Sequence, residues 1–334
     1  MSTQHLSRAG LLRRLMLGGA VAAVAALPAV SFAQAAWPTK TVTIIVPFAA
    51  GGTTDIVGRL MAQKLTALWG QNVIVENRAG AGGNIGGVAA AKAAPDGHTI
   101  FLPSGSVVTV NPHIYKSMGF DPAKDLIPVT NLASGPMLIA VNPKVQANTL
   151  KELIAMAKAK PGELNFGSAG QGSQVHMAGE NFADAAAIDI KHVPYKGEAL
   201  AYTDLVGGQI QLIVGNIAAA SAFVNDGRLR ALAVTSRERS KMLPNVPTAI
   251  EAGLPGFENT GWFGFMVPAG TPKDIVDRIH ADTVKVLRDP DVQSRLAGQG
   301  MVSIGNTPAE FSSQIATELQ RWSQVVARRK LAAN

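Results

Sequence analysis

Three times along this chain an apolar, β-branched run ends in a small-residue turn that opens at once into a helical pattern. The turns are FAAGGTTD (48–55), NRAGAGGN (77–84) and GSAGQGSQVH (167–176). No other feature restricts the fold so strongly. A strand that turns directly into a helix and is followed by another strand makes a crossover unit, and repeated crossover units build α/β sheets. The same junction has a chemical meaning. A helix N-terminus presents unpaired N–H groups and a partial positive charge, and glycines let a ligand come close. Such turns are anion sites that need no charged side chain, and α/β sheets gather them at the carboxyl ends of their strands. Two turns lie in the first half of the chain and one in the second, so the two sets can face each other across a cleft.

The elements between the turns follow the same grammar. TVTIIVPF (41–48) reads as a strand, and Ile56, Val57, Leu60, Met61, Leu65 and Leu68 at helical spacing follow it. NVIVEN is a second strand, IGGVAAAKAA a small-residue helix, Pro95-Asp96-Gly97 a turn and HTIFLPS a third strand. NPHIYKSMGFDPAKDLIPVT reads as loop with a short helix. The second half begins with the strand MLIAVNP (137–143), then a helix that Thr149 can cap, with Glu152 at the capping-box position. Further strands are IKHVPYKG and IQLIVGN, around a helix containing Asp204, and LRALAVTS. GWFGFMVPAGTPK repeats the form of MLIAVNP: apolar strand, Pro, Thr, helix. One strand leaving and one returning imply a chain that crosses twice between two domains. The helices at 272–287 and 308–328 then pack back on the first. The sheets are expected to be mainly parallel.

The first 35 residues read as a secretory signal peptide: Arg8, Arg13 and Arg14, a short apolar stretch, and a small-residue site with cleavage near Ala35/Ala36. The stretch falls short of the ~20 residues a bilayer span needs. Arg13-Arg14 also permits twin-arginine export, although Leu12 stands where a Ser or Thr is usual. Those three arginines are the only charged side chains before Ala36, so removing them lowers the net charge from +7 to +4. No concentrated basic stripe marks a nucleic-acid surface. Absence of cysteine excludes disulfides, thiolate catalysis and Cys-based zinc sites. No metal or other cofactor is expected.

Nucleotide and catalytic readings fit poorly. In GAGGNIG the third glycine falls one place late for a dinucleotide fingerprint, Asp96 sits in a turn and not at a strand end, and no phosphate-loop lysine motif occurs. Ser173 and His176, three apart on one helix, lack an orienting acid. Asp55 and Asp204 are candidate bases, but a carboxylate that caps a helix explains Asp55 more simply. Tyr195 and Lys196, beside Gly197, are candidate ligand contacts.

VPFAAGGTTDIVGRLMAQKL, VENRAGAGGNIGGVAAAKAAPDGHTI, NPHIYKSMGFDPAKDLIPVT, GSAGQGSQVHMAGENF, HVPYKGEALAYTDLVGGQIQ, RALAVTSRERSKMLPNVPTAIEAG and GWFGFMVPAGTP together resemble the Bug family of extracytoplasmic solute receptors of tripartite tricarboxylate transporters. The resemblance covers the whole mature chain. It implies a type II periplasmic-binding-protein fold: α/β, two domains joined by two crossing strands, closing on a ligand in the cleft between them. The domains would be 36–138 plus 262–334, and 139–261. It implies a periplasmic, non-enzymatic, monomeric binding protein that takes a small carboxylate and docks on permease subunits or on a membrane sensor. Carried onto this chain, one carboxylate is held by the first two turns, through Phe48, Gly51, Gly52, Thr53, Thr54 and Asp55, and Asn77, Gly82, Gly83 and Asn84. Ser104 and Ser106 flank them. The opposite wall is Ser168, Gly170, Gln171, Ser173 and His176 with Tyr195, Lys196, Glu198 and Asp204. Glu198 departs from the family pattern, where a small or Gly-rich stretch with Pro is common. An acid there can repel a second carboxylate or accept a ligand amine.

Overall fold

The computed structural model describes residues 37–332, so the signal-peptide reading falls outside the described residues. The first crossover units form as the pattern requires. Strand β1 (Val42–Val46) leads through the first turn into α1 (Thr53–Trp69), then β2 (Val73–Asn77), a 3-10 turn (Ala81–Gly83), α2 (Asn84–Ala91) and β3 (Thr99–Phe101). β1 pairs in parallel with β2 on one side and β3 on the other. α1 ends at Gly70, whose φ of 65° is the left-handed stop that glycine provides without strain.

Short helices α3 (Gly105–Thr109), α4 (Asn111–Ile114) and α5 (Pro122–Asp125) carry the chain into β4 (Leu126–Val141). This strand is longer than the sequence pattern indicates, because LIPVT, read as loop, is its opening. Two register shifts interrupt its pairing, between Pro128 and Thr130 and between Asn131 and Ala133, and these irregularities break the alternation that betrays a strand.

The second half contains α6 (Leu150–Ala159), β5 (Asn165–Ser168), α7 (Gln174–Ala186), β6 (Lys191–Pro194), α8 (Glu198–Gly207), β7 (Leu212–Asn216), α9 (Ile217–Asn225) and β8 (Arg230–Val234). β9 (Thr260–Pro268), α10 (Lys273–Leu287), α11 (Pro290–Ala297), β10 (Val302–Ser303) and α12 (Pro308–Arg329) follow.

Among the described residues ten strands join in one sheet system, ordered β2-β1-β3-β9-β4-β7-β5-β6, with β8 and β10 also paired to β4. β4 is the shared element. Its first part runs antiparallel to β9, from Leu126 opposite Pro268 to Pro136 opposite Thr260. From Met137 onward it runs antiparallel to β7 and β8. The expectation of a mainly parallel sheet is therefore corrected. Parallel pairing is confined to the two ends of the system, and the middle is antiparallel because the leaving strand and the returning strand lie side by side. β4 thus divides the sheet into two limbs, one of which ends in the turns after β1 and β2, the other in the turn after β5. Pro38–Asn334 nevertheless forms one compact unit.

The returning helices lock against the first limb. Lys64 of α1 reaches Asp289 and Asp291, and Trp69 Nε1 donates to Asp282 at 2.8 Å. α12 begins with a full capping box, Thr307 with Glu310, and its far end leaves the first limb: Arg329 pairs with Glu180 of α7. Among the described residues no helix is long and apolar enough to cross a membrane, and no cluster of acidic, His or Cys side chains has the form of a metal site.

Candidate functional site

A small cavity of about 20 Å³ lies where the ends of the two limbs meet. Phe48, Gly52, Thr53, Thr54, Ser104 and Phe263 wall it on one side, and Ala169, Ser173, Gln174, Val175, Glu198 and Asn216 on the other. Wider hollows of about 120 and 340 Å³ share Asn259, Thr260, Arg321 and Trp322 along α12, but neither includes residues 48–54 or Glu198.

The first turn owes its chemistry to what it lacks. Gly52 is the N-cap of α1 and has no side chain to accept from the first N–H groups of the helix. Those donors are left for something else, with the positive end of the helix dipole behind them. Thr53 Oγ1 is buried with no hydrogen-bond partner and belongs to a residue of the cavity wall. Asp55 turns away from the cavity. It accepts from Gly51 N at 3.0 Å, Arg59 Nε at 2.8 Å and Asn77 Nδ2 at 2.9 Å. Burial raises its pKa, but the bonds from Arg59, Gly51 and Asn77 outweigh burial and hold it below the ordinary carboxylate value. Asp55 is therefore a brace for the turn and not the N-cap that the sequence reading makes it. Asn77 completes the brace by donating to Phe48 O at 3.0 Å.

Glu198, at the start of α8 and 5% exposed, crosses to this turn from the other limb. Its Oε1 accepts from Thr53 N at 2.6 Å and its Oε2 from Asn216 Nδ2 at 2.7 Å. Asn216 Oδ1 in turn accepts from Gln174 Nε2 at 3.2 Å, and Gln174 Oε1 accepts from Trp262 N at 3.2 Å. A continuous chain of polar groups thus runs from α1 through α8, β7 and α7 to the returning strand β9. Asn216 and Gln174 are absent from the residues chosen by sequence. Asn216 ends a strand and opens a helix like the glycine-rich turns, but after the single Gly215 and not a run of glycines. Gln174 is the residue next to Ser173 in a turn already singled out.

The second turn has a different task. Gly82 and Gly83, at φ 60° and 102°, and Asn84 lie outside the cavity wall. Gly82 packs against the third turn so closely that a Cβ there would stand 2.0 Å from Gln171 O. Tyr115 donates to the same carbonyl at 2.8 Å, and Asn111 Nδ2 donates to Gly82 O and to Asn84 Oδ1. Gly170, in turn, has Gly82 as a backbone neighbour.

Of the third turn, Ser173 alone among the residues singled out reaches the cavity wall, and its Oγ accepts from His176 N, capping α7. Ser168 lies behind, fully buried, with Oγ 2.6 Å from His192 Nε2. His176 accepts from Gly172 N through Nδ1, lies 3.6 Å from Glu180, and stacks on His192 at 3.9 Å between ring centroids. Burial, then the neighbouring His176, pushes the His192 pKa down to about 3. Tyr195 donates to Asp204 at 2.7 Å, and burial followed by that carboxylate raises the phenol well above its usual pKa. Both lie off the cavity, as do Gln171 and Lys196. Lys196 is exposed and meets the first turn only through its carbonyl, which accepts from Ala49 N at 3.0 Å. Ser104 lines the cavity; Ser106 lines the neighbouring hollow.

A cavity between two α/β limbs, walled by an uncapped helix N-terminus and spanned by polar side chains, defines the class of periplasmic binding proteins. The chain belongs to the tripartite tricarboxylate transporter receptor family, whose model matches residues 57–331. It is 38% identical to BugT of Bordetella pertussis over 291 residues, 87% of this chain and 89% of that protein. Among solved structures it resembles R. palustris Rpa4515 with adipate, with 35% identity, a TM-score of 0.86, and coverage of 89% of this chain and 99% of that one. It also resembles MatC from Rhodopseudomonas palustris with bound malate, with 32% identity, a TM-score of 0.82, and coverage of 87% and 100%. Members of this family are solute-binding receptors of the periplasm.

Proposed function

We propose that this chain is exported to the periplasm, binds a small carboxylate in the cavity between its limbs, and delivers it to a membrane permease without turning it over. One observation carries the reading: the N-terminus of α1 has no side-chain cap, and its Thr53 N–H already holds a carboxylate. The adipate and malate bound by two relatives are small dicarboxylates, which supports this ligand class. The limbs act as two domains, 36–138 plus 262–334 and 139–261, and contacts made only when they are together bias them toward closure. Hydrolysis is disfavoured by the same geometry. The Asp55 carboxylate is taken up by three donors, and the Ser173 hydroxyl caps its own helix.

The test separates the backbone donor from its side chain. Thr53 is the first residue of α1 and Gly52 before it is extended, with ψ 170°, so Thr53→Pro removes one N–H where proline is tolerated. Calorimetry with adipate, malate and a panel of other carboxylates should show every binder weakened by Thr53→Pro, by up to the roughly tenfold expected for losing a hydrogen bond to a charged group, less what is offset because Glu198 loses the same donor. Thr53→Val retains the N–H and should lose less. Absence of heat with every carboxylate in the panel would overturn the reading.

A further inference from the structure

We propose that Glu198 is an internal competitor for the carboxylate site, so that ligand binding in this chain is an exchange of one carboxylate for another. The proposal rests on the reading above and concerns the same cavity. Three observations carry it. The Glu198 carboxylate bridges two donors on opposite limbs, Thr53 N at 2.6 Å and Asn216 Nδ2 at 2.7 Å, which is the arrangement a ligand carboxylate needs to join the limbs. Both donors are neutral, and among the described residues no cation pairs with this buried acid. The side chain also fills the space in front of the glycine that leaves the helix uncapped: a Cβ on Gly52 would meet Glu198 Cγ at 3.2 Å and Oε1 at 3.5 Å.

A structural glutamate fixed for packing has no need to sit on an uncapped helix end in the cavity wall. A glutamate that receives a ligand ammonium does not need it either, since its oxygens would face the ligand and not the donors a ligand carboxylate uses. Glu198 is also able to leave. Two hydrogen bonds to neutral donors, Thr53 N and Asn216 Nδ2, are what its carboxylate gives up, with no ion pair to break. Its departure frees Thr53 N and Asn216 Nδ2 together, and the incoming carboxylate inherits both. Thr53 Oγ1, buried beside the site without a partner, adds a third group within the same wall.

The consequence is selective. The observed affinity of a ligand is its intrinsic affinity reduced by the fraction of molecules in which Glu198 has swung away. A weak monoanion cannot overcome an occupant tethered to the same chain, whereas a ligand with further contacts to Gln174 and Asn216 can. Glu198 thereby sets a threshold for which carboxylates this receptor retains.

The experiment compares the full mature chain with Glu198→Ala and Glu198→Gln, using adipate, malate and acetate in calorimetry. If Glu198 occupies the site about nine-tenths of the time, Glu198→Ala binds adipate about tenfold more tightly than the parent. Acetate then gains a measurable affinity in the variant. Glu198→Gln, whose amide still accepts from Thr53 N but presents a donor to Asn216, falls between them. It also serves if the alanine variant does not fold. Binding by the variants alone, with none by the parent, supports the exchange in its strongest form. Equal or weaker binding by both variants, with the parent binding normally, overturns the exchange and leaves the carboxylate reading standing. Folded parent and variants that all fail to bind any carboxylate overturn both.

Discussion

The first and second glycine-rich turns look alike in sequence and do opposite things in the fold. Each leaves a parallel strand, passes through consecutive glycines and opens a helix. The first keeps its helix end uncapped and turns it toward the cavity, and a carboxylate from the other limb sits on it. The second presses Gly82 onto Gln171 O, and Asn111 Nδ2 takes its Gly82 carbonyl and Asn84 Oδ1. Glycine therefore serves two distinct needs, admitting a ligand to backbone donors in one turn and admitting another stretch of backbone in the other. Sequence shows that close approach is needed, but not what approaches.

That contrast is open to direct attack. The largest effect is expected from Gly82→Ala. With a Cβ 2.0 Å from Gln171 O and φ at +60°, the substitution adds a clash to a strained backbone and should cost about 3 kcal/mol or more. Gly52→Ala, at φ −84° and facing only the flexible Glu198 side chain, should shift stability by less than about 1 kcal/mol. Urea midpoints for the pair measure this, and equal losses would dissolve the distinction between the turns. Asn77→Ala should cost about 1–3 kcal/mol, because it strips donors from Phe48 O and from the buried Asp55. A loss confined to ligand affinity would instead place Asn77 in the site.

A smaller effect belongs to the stacked histidine pair. The His192 pKa of about 3 lies below its unfolded value of about 6.5, so the unfolded chain takes up the proton first. Stability from this group is complete above about pH 6.5 and declines as pH falls toward 3. Between pH 6.5 and 5, above the carboxylate range, His192→Gln should flatten the decline seen in thermal melts. A slope identical to the parent's would mean that His192 is not the group responsible. The smallest effect is expected at Lys196, exposed and tied to the first turn only by its carbonyl. Lys196→Ala should leave stability within about 0.5 kcal/mol and adipate affinity within about twofold, as expected for a surface change. A tenfold loss would bring its ammonium into the site.

Much of the fold is legible in the sequence because strand, turn and helix follow one another with clean signals. β1, α1, β2 and β3 fall where the β-branched runs and helical spacing place them. β4 is legible only from Met137, since its bulged first part carries Pro128 and polar residues that read as loop. The site is legible by location more than by membership. Phe48, Gly52, Thr53, Thr54, Ser104, Ser173 and Glu198 line the cavity, while Asn77, Asp55 and His176 brace the turns from behind and Tyr195 and Asp204 pair with each other off the cavity. Asn216 and Gln174 escape because a bonded chain of side chains across two limbs has no sequence period.

The contact between Gly82 and Gln171 has a further consequence. Where two side chains meet they can compress or repack, but here backbone meets carbonyl with nothing between to yield. The junction therefore behaves as a rigid gauge block that fixes the least separation the two rims can reach. Under the proposed mechanism, discrimination by ligand length is then governed at a point outside the cavity wall, and a single methyl group on Gly82 would reset it toward longer ligands.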